Sequence, residues 1–182
     1  MNQNPLISII VPSYNHGHLI HRALNSILAQ TYLYWEVIIV DNHSSDDTEK
    51  IVSNFSEKRF RFYKINNNGV IAASRNLGIK KALGEWIAFL DSDDWWKPEK
   101  LDKAINYASK RNADLVFHNL KIVRKNYLSF GRSIGFYDHS KSAFDNLLYA
   151  GNSIPNSSVV IKKSILQAAN LISEDKLKIS WE

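Results

Sequence analysis

Asp91-Ser92-Asp93-Asp94 follows directly on Trp86–Leu90, five apolar residues that read as a strand buried on both faces. In an extended chain, residues two apart point to the same side, so Asp91 and Asp93 can converge on one ligand with Ser92 turned away. Two carboxylates so close repel each other unless a cation sits beside them. Oxygen-only ligation suits Mg²⁺ or Mn²⁺ and leaves positions for phosphate oxygens. The alternative is a polar loop capping a helix that begins near Lys97. Asp41 likewise closes an expected buried strand, Glu36–Val40. Its carboxylate can accept from a ligand N–H such as a uracil imide, or cap the next helix, for which Ser44 and Ser45 are better placed. Arg75, within Ala72-Ala73-Ser74-Arg75-Asn76-Leu77-Gly78, lies near a helix start and suits a diphosphate, or else a surface salt bridge. His16, His18 and His21 cluster, but exposed imidazoles there are more often solvated than zinc-bound. His43 can line the pocket beside Asp41. The Trp95-Trp96 pair can stack on a sugar or seal the core.

These residues need elements to hold them. Ile7–Val11 is a continuous apolar run ending at Pro12, and His18–Gln30 carries an apolar stripe at helical spacing. Ser44-Ser45-Asp46-Asp47 opens a helix expected to run to about Phe55, and Arg59–Ile65 alternates like a half-exposed strand. Ile71–Leu83 reads as a helix stopping at Gly84, a good residue just past a helix end. The resulting βαβαβαβ order predicts an α/β domain, a mostly parallel sheet with helices on both faces. Ligands of such sheets bind beyond the carboxyl ends of the strands, where Pro12-Ser13-Tyr14-Asn15, Asp41-Asn42 and the acidic run all fall. Beyond, Lys97–Arg111 is an expected helix with Pro98 in its first turn. Asp114–Asn119 and Ser158–Lys162 are expected strands, residues 120–139 a hairpin or lid, and Ala143–Ala150 a helix.

The chain has 182 residues, 45% hydrophobic and 23% charged, the profile of one soluble globular domain. It has no cysteine, which excludes a disulfide scaffold, a thiolate zinc site and a thiol nucleophile. No apolar run approaches the ~18 residues of a membrane span, and the N-terminus lacks the basic start of a signal peptide. A cytoplasmic protein is expected, free or at the inner face of the cell membrane. Charge is uneven. Residues 1–94 carry 9 basic and 10 acidic side chains, residues 95–182 carry 14 and 8. The basic half is compatible with peripheral membrane contact, an anionic substrate or a solvated helix face. There is no G-x-G-x-x-G after the first strand, no P-loop and no G-x-S-x-G elbow. Diphosphate binding would therefore rest on metal and arginine.

Three segments carry a resemblance: SIIVPSYNHGHLIHRALNSILAQTY, EVIIVDNHSSDDT and NNNGVIAASRNLGIKKALGEWIAFLDSDDWWKPEKL. As an ordered set they resemble the family 2 glycosyltransferases of GT-A (Rossmann-like) fold, over about residues 6–103. The resemblance implies inverting transfer from a UDP-linked sugar to a glycan or lipid-linked acceptor, with Mn²⁺ or Mg²⁺ and no nucleic-acid partner. It implies a single domain whose residues 1–100 bind the nucleotide sugar and whose residues 101–182 face the acceptor. By the same resemblance Pro12, Tyr14 and Asn15 line the nucleotide pocket, Asp41 meets the base and Arg75 the diphosphate. Asp91, with Ser92, approaches the ribose or the metal's shell, and Asp93 is the main metal ligand. The family's catalytic base lies in a later E-D motif. Leu171–Leu177 fits the stretch preceding that motif, and Trp181-Glu182 falls where the motif begins. The base aspartate is then expected just beyond Glu182, at a truncation, and Glu174-Asp175 matches the dipeptide without the spacing. Two rivals are a nucleotide-sugar-binding module without turnover and a sugar-nucleotide nucleotidyltransferase. The second would want a glycine-rich loop where Pro12-Ser13-Tyr14-Asn15 stands.

Overall fold

The structure, a computed structural model, describes residues 4–123, 133–134, 138, 140–142, 145 and 154–175. Strands β1 (Ile7–Ser13), β2 (Trp35–Asp41), β3 (Phe60–Lys64) and β4 (Trp86–Phe89) alternate with helices α1 (Gly17–Leu28), α2 (Thr48–Ser53) and α3 (Ile71–Lys81). Then come α4 (Lys100–Arg111), β5 (Leu115–Val116), β6 (Leu120–Lys121), β7 (Ser133–Ile134), a 3₁₀ turn (Asn156–Ser158), β8 (Val160–Lys162) and α5 (Lys163–Ala168). The main sheet has the order β3-β2-β1-β4-β8-β5, and β6 pairs with β7 in a separate ladder. β1 to β4 are mutually parallel, whereas β8 runs antiparallel to both neighbours. The α/β reading holds, and the antiparallel strand makes the sheet mixed.

Every residue of β1, β2 and β4 is buried, because the sheet is covered on both faces. On one face Ile7, Ile9, Val37, Ile39, Ala88 and Leu90 pack with α1, α2 and α4. On the other, Ile10, Ile38, Val40, Ile87 and Phe89 pack with Ile79 of α3 and with β8. The strand order reverses between β1 and β4, so the crevice of an open α/β sheet falls beyond their carboxyl ends.

Several boundaries differ from the sequence reading, each for a local reason. β1 continues through Pro12, although proline is normally excluded from inner strands. Pairing with β4 ends at Ile10, whose carbonyl accepts from the Leu90 N–H. Pro12, two residues on, faces that same side, where no strand needs its missing N–H. α3 ends at Lys81, and Gly84 does not cap it. A Cβ on Gly84 would sit 2.6 Å from the Leu6 carbonyl oxygen and 2.7 Å from the Ser8 nitrogen, so glycine is required by close backbone approach. α4 begins at Lys100, leaving Pro98 in the preceding turn. The Gln30 side chain accepts from the Leu101 N–H at 3.0 Å and so caps α4 from the end of α1. The strand expected over Asp114–Asn119 is two residues long. The helix expected over Ala143–Ala150 lies almost wholly outside the described residues. No helix among the described residues is long and apolar enough to cross a membrane.

Candidate active site

The loop after β1 and the loop after β2 are stitched together. The Asn15 N–H donates to Ser44 Oγ at 2.8 Å, and Asn15 Oδ1 accepts from the Ser45 N–H at 2.8 Å. Asn15 adopts φ 52°, a left-handed conformation that asparagine tolerates better than most residues. Asp41 is 1% exposed, and its carboxylate accepts from the Ser44 N–H at 2.8 Å and the Ser44 hydroxyl at 2.5 Å. Asp41 thus organises the loop His43–Ser45 from beneath. Pro12 is buried at the base of this loop pair, while Tyr14 is 57% exposed at its mouth.

Asp46, the next acidic residue, accepts from the Gly17 N–H at 2.8 Å and from the Thr48 N–H at 3.1 Å. One carboxylate therefore caps the N-termini of both α1 and α2, whose own cap positions, His16 and Asp47, make no side-chain cap bond. A Cβ at Gly17 would lie 3.1 Å from the Asp46 carboxylate and 3.1 Å from the Thr48 nitrogen, which explains the glycine. The Thr48 hydroxyl bond, reinforced by the backbone bonds, holds the Asp46 carboxyl below its usual value near 3.8.

Beyond β4 the chain does not stay extended. The Asp94 N–H donates to the Asp91 carbonyl at 3.0 Å and closes a turn, so the same-side rule for Asp91 and Asp93 does not apply. Asp91 faces Arg75, with Nη2 2.9 Å from Oδ1, and the Arg75 side chain is only 4% exposed. Ser92 is buried and shares a 2.7 Å hydrogen bond with His16 Nδ1. Asp93 is exposed, and its carbonyl accepts from Arg22 at 2.6 Å. The Trp pair divides its labour. Trp95 is 41% exposed under the Arg22 guanidinium, 3.9 Å from ring centroid. Trp96 is buried, and its Nε1 donates to the Ser157 carbonyl at 2.7 Å. Ser157 Oγ in turn accepts from the Asp91 N–H. Behind Trp96 lies Lys100, 7% exposed, with Nζ 3.8 Å from the ring centroid and no hydrogen bond. Burial pushes its ammonium well below the usual lysine range.

The structure therefore gathers Pro12, Tyr14, Asn15 and Asp41 around two stitched loops, and Arg75, Asp91, Ser92 and Asp93 around one turn. The two groups meet at the switch point through the β1–α1 loop, His16 touching Ser92. Glu182 lies outside the described residues. Sequence reasoning missed Arg22, Ser157 and the double cap of Asp46. The last was visible as a run of cap-type residues, whereas Ser157 lies 66 residues from its partner with no local signal. Among the described residues, no three His, Cys, Asp or Glu side chains come together as a metal cage. The turn carries three carboxylates, Asp91, Asp93 and Asp94, of which Asp91 is paired with Arg75, so its donors are oxygen only and few are free. That fits a hard cation taking most of its ligands from a diphosphate and water, as Mg²⁺ commonly does.

Residues 8–167 match the model of glycosyl transferase family 2. The chain belongs to that family. Its relatives include the Escherichia coli UDP-Glc:alpha-D-GlcNAc-diphosphoundecaprenol beta-1,3-glucosyltransferase WfgD, 40% identical over 66% of this chain and 48% of the relative. The Staphylococcus aureus poly(ribitol-phosphate) beta-N-acetylglucosaminyltransferase TarP is 32% identical over 97% of this chain and 52% of its own. The crystal structure of S. aureus TarS 1-349 in complex with UDP-GlcNAc superposes with a TM-score of 0.74 at 26% identity, covering 91% of this chain and 47% of that 1-349 chain. The chain spans about half the length of these relatives. The fold is the GT-A fold of the TarS structures, and the family is one of transferases.

Proposed function

We propose that this chain carries the donor site of an inverting glycosyltransferase that moves a sugar from a UDP-sugar to an acceptor hydroxyl during surface-polysaccharide synthesis. The observation that carries the reading is the buried Arg75 paired with the part-exposed Asp91 at the sheet's switch point, beside the exposed Asp93. A guanidinium held in place at the mouth of a crevice suits a diphosphate. Asp93 and Asp91 would hold Mn²⁺ or Mg²⁺, which as a Lewis acid neutralises charge on the leaving nucleoside diphosphate. Pro12, Tyr14 and Asn15 form the wall of the nucleotide pocket. Asp41 selects the base, and direct contact with a uracil imide requires Ser44 to turn aside. Residues 1–100 supply the donor half and 101–182 the acceptor half. An inverting transfer also needs a carboxylate to take the acceptor proton, and the family resemblance assigns it to the E-D motif that begins at Glu182.

The relatives' names support this reading. WfgD's names UDP-Glc as donor and a diphosphoundecaprenol-linked sugar as acceptor, and TarP's names a ribitol-phosphate polymer. A glycan or lipid-linked acceptor, and with it peripheral association at the inner face of the membrane, follows by analogy. Calorimetry with UDP, CDP and GDP, with Mn²⁺ and with chelator, tests the donor assignment. UDP is expected to bind most tightly and to need the metal, and Asp93→Ala to remove the metal-dependent part while the circular dichroism spectrum is unchanged. Asp41→Ala should narrow the gap between UDP and CDP. Metal-independent binding that Asp93→Ala leaves intact overturns the reading.

A further inference from the structure

Asn76 follows Arg75 on α3 and is 3% exposed. Its side chain makes three hydrogen bonds to one distant segment. Nδ2 donates to the Ile172 carbonyl at 2.8 Å and to Glu174 Oε1 at 2.7 Å, and Oδ1 accepts from the Ile172 N–H at 3.0 Å. Donor and acceptor capacity are both used on partners 96 to 98 residues away. The segment it grips is itself strained. Asn170 and Leu171 adopt φ 58° and 69°, the left-handed region, where a branched apolar residue is an outlier. Such strain persists only where surrounding contacts over-determine it. Here the contacts are the Leu171 N–H bond to the Leu166 carbonyl at 2.7 Å, the packing of Leu171 and Ile172 on the α3-side core, and Asn76.

We propose that Asn76 is a positioning residue that fixes the strained Leu171–Glu174 segment against the helix whose previous residue, Arg75, holds Asp91. Two consecutive side chains on α3 thereby tie both sides of the site to one rigid element. Arg75 sets the donor-side turn, and Asn76 sets the segment that leads towards the acceptor side. Reading these sides as donor and acceptor rests on the glycosyltransferase proposal above; the clamp itself does not.

The amide polarity makes this testable. Asn76→Ala removes all three bonds. Asn76→Asp keeps an acceptor for the Ile172 N–H but sets a carboxylate against Glu174. The double change Asn76→Asp with Glu174→Gln restores the match at position 174 alone, because the glutamine amide can donate to the new carboxylate while the Ile172 carbonyl still lacks its donor. Hydrogen exchange at the Ile172 amide and Mn²⁺-dependent UDP affinity are measured in all four proteins. Exchange at Ile172 is expected to quicken at least tenfold in Asn76→Ala and in Asn76→Asp and to slow part of the way back in the double variant. UDP affinity should stay within twofold of the parent throughout. Unchanged exchange in Asn76→Ala overturns the proposal, and so does a double variant that exchanges as fast as Asn76→Asp. UDP affinity falling in step with exchange in every variant also overturns it, since Asn76 would then serve the donor pocket. A parent chain that binds no UDP sinks the glycosyltransferase reading instead, and leaves the exchange test intact.

Discussion

Removing the Asp46 carboxylate should loosen two helices at once. Its oxygens take the first N–H of α1, from Gly17, and the first N–H of α2, from Thr48, with the Thr48 hydroxyl at 2.5 Å as a further partner. A capping side chain is typically worth about 1 kcal/mol per helix end, so Asp46→Ala should cost about 2 kcal/mol. In a domain of this size that lowers the melting temperature by roughly 4–8 °C. Asp46→Asn keeps one acceptor oxygen and presents an amide NH₂ donor where the second was, so it should cost about half as much. The acid dependence has a definite sign. The folded-state carboxyl lies below the unfolded value near 3.8, so its contribution is fully present above that value. It is lost as pH falls through the lower folded-state value, and the gap between parent and Asp46→Asn should close over that range. Urea denaturation of the three proteins at pH 7 and at stepped acidic pH measures both effects. Asp46→Ala within about 0.3 kcal/mol of the parent at pH 7 would falsify the double cap as a source of stability.

Three further outcomes follow from the same geometry. Arg75→Lys keeps a charge beside Asp91 but loses the planar fork, and should weaken Mn²⁺-dependent UDP binding about tenfold by calorimetry, or about 1.4 kcal/mol. Lys100→Met removes a buried nitrogen with no hydrogen bond while keeping the stem on Trp96, and should raise the urea midpoint, by about 1–3 kcal/mol in stability. Because the folded-state lysine value is depressed, the parent gains stability as pH rises towards the unfolded value of 10.5, so the variant's advantage should shrink over that range. Gly84→Ala drives a methyl against the Leu6 and Ser8 backbones, which cannot step aside as a side chain would. A loss of about 3 kcal/mol or more by denaturation is expected, and a neutral result would contradict the packing described.

Much of the fold was legible because three of its strands are short, mostly apolar and followed by polar residues. The buried runs of β1, β2 and β4 announce a sheet covered on both faces, and their polar ends announce the crevice. What stayed hidden depends on partners far along the chain. Nothing near Pro12 says that β4 stops short of it, and nothing near Leu101 says that Gln30 will cap its helix. Gly84 looked like a helix stop because glycine serves both left-handed turns and close contacts, and local sequence does not separate the two. At the site, residue types at Asp91, Asp93, Arg75 and Asp41 pointed to ligand chemistry. Their pairing did not follow from spacing, because the turn at Asp91–Asp94 replaces the extended chain that spacing assumes.

The stitching of the site also bears on when it comes into being. His16 meets Ser92 across 76 residues, Asp91 meets Ser157 across 66, and Asn76 meets Glu174 across 98. Contacts of such separation must close large loops and accrue slowly in a folding chain. Collapsed intermediates with β1, β2 and α1 in place would still lack the Asp91 turn in its final setting. Nucleotide affinity would then register completed topology rather than helix content, and a ligand added during refolding would select the finished sheet from partly organised species.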